Sequence, residues 1–232
     1  MNPTLEGAIA ELKGLLENLY KIVTSALTQS MKAFEDLDSD LADSIAVQSE
    51  DFERIHNTIE DMIFTAVTTY QPRDQELRRL IAYLSTSNGL HSVGRFAIKI
   101  GEIVMLSEGL DHFKELVTLP YLSELARAAL SISFRAVLDE NLSEIDELEK
   151  LEAQSDYESA DMFQEIAEYL SHRRDISNIA MLYVIVGRYF ERAADQAIII
   201  AEAAVYLVTA ERRKLGLTYK GIQDVTDLIL DV

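Results

Sequence analysis

Leu90-His91-Ser92-Val93-Gly94-Arg95-Phe96-Ala97-Ile98-Lys99-Ile100-Gly101-Glu102 and Phe190-Glu191-Arg192-Ala193-Ala194-Asp195-Gln196-Ala197-Ile198-Ile199-Ile200-Ala201-Glu202 read as one helical segment written twice, a hundred residues apart. In that register Ala97/Ala197, Ile98/Ile198, Ile100/Ile200 and Glu102/Glu202 are identical. The copies diverge where chemistry is available: His91 and Arg95 stand opposite Glu191 and Asp195. Self-similarity at a fixed period points to a duplicated structural unit.

Working outward, the preceding segments also align, at an offset of 103 that sets Ile45 with Leu148, Ile59 with Met162, Ile63 with Ile166 and Val67 with Leu170. Three long helical patterns fill each half. The first, about residues 5 to 36, carries Leu12, Leu15, Leu16, Leu19, Ile22, Val23 and Ala26 at the 3–4 spacing of one apolar face. The second follows the polar cluster Glu35–Asp40 and stops before Gln71-Pro72, because a residue preceding proline avoids helix. The third spans about 74 to 107. Helices over about 111–138, 142–170 and 175–211 repeat the plan. The expected fold is all-α, two tandem three-helix bundles related by internal duplication: 1–109 the first repeat, 110–212 the second, 213–232 a C-terminal tail. Within the tail, Asp224–Val232 is expected to form a short amphipathic helix through Val225, Leu228 and Ile229.

Composition agrees. Nearly half of the 232 residues are hydrophobic, while prolines number three and glycines nine. Forty acidic against twenty-one basic residues leave a net charge of −19, which repels phosphate backbones and argues against nucleic acid as a partner. There is no cysteine, hence no disulfide framework, and a reducing cytoplasm is the expected compartment. Met1–Glu6 lacks a basic segment followed by an apolar run, so no signal peptide is expected. The longest apolar stretch, 180–208, is broken by Arg188, Glu191, Arg192, Asp195 and Glu202, so no membrane-inserted helix is expected.

Two helices of the second half carry acids at i and i+4: Glu152 with Asp156, and Glu191 with Asp195. That spacing sets each pair on one face. If the two faces meet, four carboxylates supply hard oxygen ligands for a divalent or iron-type metal ion. An ordinary charged surface is the competing reading, with Arg188 and Arg192 neutralising the last pair as exposed ion pairs. In the first half the same positions are Ser49, Glu53, His91 and Arg95, a set in which Arg95 opposes a cation. Nothing resembles a nucleophilic triad, a phosphate-binding glycine loop or a zinc signature, so no catalysis is expected. His56, His112 and His172 are scattered, and Met31, Met62, Met105, Met162 and Met181 suit gap-filling in a core.

The chain resembles the PhoU family of phosphate-uptake regulators over roughly residues 5 to 212. The likeness is carried by Phe190-Glu191-Arg192-Ala193-Ala194-Asp195, similar to the family's Leu-Glu-Arg-Ile-Gly-Asp, and by Ile200-Ala201-Glu202. Glu76-Leu77-Arg78 after Gln71-Pro72 and Asp38-Ser39-Asp40-Leu41-Ala42 add to it. The resemblance implies two three-helix bundles with metal-holding acids on the second and third helices of each repeat. Glu152, Asp156, Glu191 and Asp195 match that pattern, while Ser49, His91 and Arg95 depart from it, so one metal site is carried over. It implies a cytoplasmic, non-enzymatic adaptor whose partners are a phosphate ABC transporter ATPase and/or a sensor histidine kinase, reaching the membrane through them. Helices this long also leave surface for a homodimer. The alternatives are a metal-dependent enzyme on a helical bundle, and a metal-free structural dimerising bundle.

Overall fold

The computed structural model describes residues 4–219. Helix α1 (Leu5–Asp36) starts at Thr4, whose hydroxyl accepts the Gly7 N–H at 3.1 Å, and buries Leu12, Leu16, Leu19, Val23 and Ala26 as one stripe. It ends at Leu37 in the left-handed region, and Asp38 then caps the next helix by accepting the Leu41 N–H at 3.0 Å. The second element, expected as one helix, is two: α2 (Ser39–Val47) and α3 (Ser49–Tyr70). At Gln48 the bonding tightens to i→i+3, with Gln48 N–H on Ile45 C=O at 3.0 Å and Asp51 N–H on Gln48 C=O at 3.1 Å. The break lets Ala42 bury against Gly101, near the end of the helix that follows, while Phe52, Ile55 and Ile59 bury as a separate stripe, leaving Val47 outside. As the proline rule requires, α3 stops at Tyr70.

Helix α4 (Asp74–Leu106) completes the first bundle, and α5 (Thr118–Leu138), α6 (Ile145–His172) and α7 (Ser177–Thr209) form the second. The start of α5 lies later than the spacing suggests. His112 explains the difference: its Nε2 donates to the carbonyls of Phe34 and Glu35 at 3.1 and 3.0 Å, so its Nδ1 accepts from the Tyr183 hydroxyl at 2.7 Å. That ties the connection onto the end of α1 and onto α7, and burial pushes the Tyr183 phenol well above its ordinary pKa. Pro120 then sits in the first turn of α5, where a missing N–H costs nothing.

Helices α3 and α6 lie on the outside of their bundles, α3 on α1 and α4, α6 on α5 and α7. The third helices, α4 and α7, pack on each other, so the two bundles share one continuous apolar core. They pack tightly at Gly89, where a Cβ would fall 2.8 Å from Ile200 Cγ1. Among the described residues no helix is long and apolar enough to cross a membrane. After Ala210 the chain is not helical through Tyr219, and the short helix expected over 224–232 lies outside the described residues.

Gly94 of α4 lies against the fully buried Phe52, with an added Cβ 2.8 Å from the ring. Gly94→Ala is expected to cost about 1–3 kcal/mol by overpacking. Gly14→Ala, in open space on α1, is expected to add about 0.5–1 kcal/mol by removing a helix glycine. Urea unfolding followed by circular dichroism separates the two, and equal effects would refute the close packing at Phe52.

Candidate metal centre

The buried stripe by which α6 faces the core runs through Leu148, Ser155, Met162 and Ile166, and Glu152 occupies that same register. Its carboxylate is therefore carried inward and is 2% exposed. Asp156, one turn on, and Asp195 of α7 are half-buried at the seam. One oxygen from each of Glu152, Asp156 and Asp195 lies within 4.8 Å of the others. Oxygens on opposite sides of a hard cation, at ligand distances of about 2.0–2.6 Å, stand about 4–5 Å apart. The spacing and the all-oxygen donor set thus fit one such ion.

Glu191, the fourth acid singled out by the sequence, is not in this group. Its Oε2 accepts from Ser159 Oγ at 2.7 Å, and its Oε1 is paired with the Arg188 guanidinium. The hydrogen bond from Arg188 to Glu191 holds the guanidinium above its ordinary pKa, and the charges of Glu191, Asp195 and Asp156 add to the effect. Arg188 therefore faces the carboxylate group as its counter-charge. Arg192 points elsewhere, with its guanidinium 4.9 Å from the centre of the Phe96 ring on α4.

Residues 211–219 form a strap across the second bundle, a feature the sequence did not suggest. Glu149, almost wholly buried, accepts the Gly216 N–H at 2.9 Å and the Thr218 hydroxyl at 3.0 Å. Glu202 accepts from Lys214 Nζ at 3.1 Å and from the Leu215 N–H at 3.0 Å, while the Leu215 side chain enters the core. The Tyr219 hydroxyl donates to Asp146 at 2.8 Å. Gly216, at φ 73°, passes directly over Glu152, with its Cβ position 3.4 Å from both carboxylate oxygens. Its positive φ and that closeness both favour glycine. Glu149, three residues before Glu152, and Gly216 beyond a basic triplet were the available clues.

At the equivalent seam of the first bundle, between α3 and α4, Ser49, Glu53 and Arg95 stand where Glu152, Asp156 and Asp195 do, and two imidazoles meet instead. His56 and His91 stack with ring centres 4.5 Å apart, His91 Nε2 lies 3.2 Å from Glu53, and His56 Nδ1 bonds Ser87 Oγ at 2.9 Å. Arg95 is exposed and Ser49 half-buried, at the start of α3. Among the described residues the Glu152–Asp156–Asp195 group is the one cluster of three potential metal-ligating side chains.

Fold and site together define a class: a duplicated three-helix-bundle protein with a carboxylate cluster at the second seam. Comparison with known proteins bears on the fold. Residues 16–104 match the model of the PhoU domain. The chain is similar to a phosphate-specific transport system accessory protein PhoU homologue of Thermotoga maritima, 22% identical over 210 residues and 90% of each chain. A homologue so named from Synechocystis is 26% identical over 216 residues, covering 90% of this chain and 89% of that one. The crystal structure of PhoU from Pseudomonas aeruginosa superposes with a TM-score of 0.84 at 19% identity, covering 90% of this chain and all of that one. The phosphate transport system regulatory protein PhoU from Streptococcus pneumoniae gives 0.82 at 21% identity, covering 91% of this chain and all of that one. Residues 16–104 thus match the PhoU domain, and the chain shares the fold of these PhoU structures over about nine-tenths of its length.

Two outcomes follow from this geometry. Glu149→Ala leaves the Gly216 N–H and Thr218 hydroxyl without their acceptor, a loss of about 1–3 kcal/mol. Trypsin is then expected to cut after Arg213 and Lys214 about tenfold faster than in wild type; unchanged cutting would show the strap is held otherwise. Burial, and next the neighbouring His91, lower the pKa of His56 below its ordinary 6.5, against smaller upward pulls from Glu60 and Glu53. The unfolded chain therefore takes up the proton first, so stability is full above pH 6.5 and falls as pH drops toward the folded value. His56→Asn is expected to flatten the stability difference between pH 7.5 and 5.5, measured by urea unfolding.

Proposed function

We propose that this chain is a non-enzymatic regulator of phosphate uptake and phosphate-responsive signalling, with a divalent or iron-type metal ion held by the second bundle. Its relatives are named as accessory proteins of phosphate-specific transport systems, and they align over about nine-tenths of its length. The observation that carries the reading is the convergence of Glu152, Asp156 and Asp195 on one point. These three would hold the ion, and Glu191 joins the set only by giving up its pair with Arg188. Buried Glu152 would be the ligand least accessible to water, which strengthens its attraction for a cation.

In this reading the chain works in the cytoplasm as an adaptor on the ATPase of a phosphate ABC transporter and on a sensor histidine kinase. It meets the membrane only through those partners, and a homodimer is its working assembly. Residues 1–109 and 110–212 act as two repeats, the second carrying the ion and the first a histidine pair.

Elemental mass spectrometry of chelator-free protein tests the site. Wild type is expected to carry stoichiometric metal, and Asp156→Asn/Asp195→Asn to carry none while keeping its helical spectrum. Added Mn²⁺ is expected to stabilise wild type by about 2–3 kcal/mol at a hundredfold excess over Kd, and not to stabilise the double variant. Metal absent from both would reduce the acids to a charged surface. Phosphoester turnover by the Mn²⁺-loaded chain would overturn the non-enzymatic reading.

A further inference from the structure

The strap has a second face. Between it and helices α4 and α7 lies a groove of about 300 Å³. Its floor is aliphatic, made by Ile81 and Ala82 of α4 with Ile199 and Ala203 of α7; Ile81 and Ile199 are exposed there. Tyr206 forms one wall, and Arg212, Arg213 and Lys214 line the rim. In a chain of net charge −19, three adjacent cations over an apolar floor are a local inversion of the protein's field.

Two of the three rim cations are paired with a carboxylate, Arg213 with Glu149 and Lys214 with Glu202, and each keeps donors for a ligand. Arg212 lies over the Tyr206 ring at 4.6 Å and, among the described residues, has no carboxylate partner. A guanidinium stacked on its face keeps its N–H edges for an oxyanion. Arg213 forms a loose ion pair with Glu149 at 3.7 Å, without a hydrogen bond. Lys214 commits one contact to Glu202, the groove's one acid, whose other oxygen is taken by the Leu215 N–H. Ser85 adds a hydroxyl to the lining.

We infer that this groove binds a small phosphate ester, its phosphate on Arg212, Arg213 and Lys214 and its planar or aliphatic body on Ile81, Ile199 and Tyr206. Three cations suit a multiply charged phosphate better than a single carboxylate. The volume is at the small end for ligand sites and suits a body of nucleotide size. The surrounding acidic field disfavours a polyanion such as nucleic acid. Two sources share this chemistry, a soluble nucleotide and the headgroup region of an anionic phospholipid.

The test titrates the full chain, free of divalent cations so that the carboxylate cluster takes no part, with a fluorescent trinitrophenyl-ATP, with inorganic phosphate and with phosphatidylglycerol vesicles. Arg212→Glu and Ile199→Glu alter exposed positions on the rim and floor without touching the strap's anchors. Saturable binding of the nucleotide or the vesicles, weakened at least about tenfold in both variants, supports the groove and identifies the source. Binding that survives both substitutions, or no binding to either probe at millimolar concentration, overturns it. Inorganic phosphate competing as well as the ester would also overturn it, because the floor would then contribute nothing.

Discussion

Everything in this molecule hangs on the contact between α4 and α7. At Gly89 the two helices come so close that a methyl group would collide with Ile200. A glycine permits that approach, and the apolar core then runs unbroken from one bundle to the other. With the third helix of each repeat fixed at the centre, the second helices are pushed outward, and each forms a seam with its central partner. The chemistry of the protein sits in those two seams, carboxylates between α6 and α7 and imidazoles between α3 and α4.

Much of this was legible beforehand because helices this long repeat their apolar spacing many times. The bounds of α1, the stop of α3 before Pro72 and the span of α4 fall where spacing and proline chemistry set them. The break at Gln48 was not legible: Gln48 carries no glycine or proline mark, and the interruption comes from two apolar stripes that must face different neighbours. The late start of α5 was equally hidden, since it depends on His112 reaching carbonyls 77 and 78 residues earlier in the chain. Local spacing carries no information about such a contact.

The carboxylate site divides in the same way. Acids at i and i+4 marked faces on which three of the four carboxylates meet. Glu191 departs because Arg188, one turn before it on α7, and Ser159 of α6 satisfy its oxygens first. Sequence spacing alone does not rank a nearby guanidinium against a cluster of like charges; the geometry of the seam does. The strap lay beyond any periodic argument, for it is ordered by a buried carboxylate, Glu149, and a half-buried one, Glu202, that accept backbone N–H groups from a segment with no repeating pattern of its own.

The histidine pair between α3 and α4 has a consequence for orientation. A duplicated body with acids in both seams would present the same electrostatic face at either end, and a partner reading charge could dock in two senses. Stacked imidazoles in one seam and clustered carboxylates in the other give the molecule polarity: its shape repeats, its potential does not. Because complementary charge fixes register during encounter, such a body has a head and a tail for whatever approaches it.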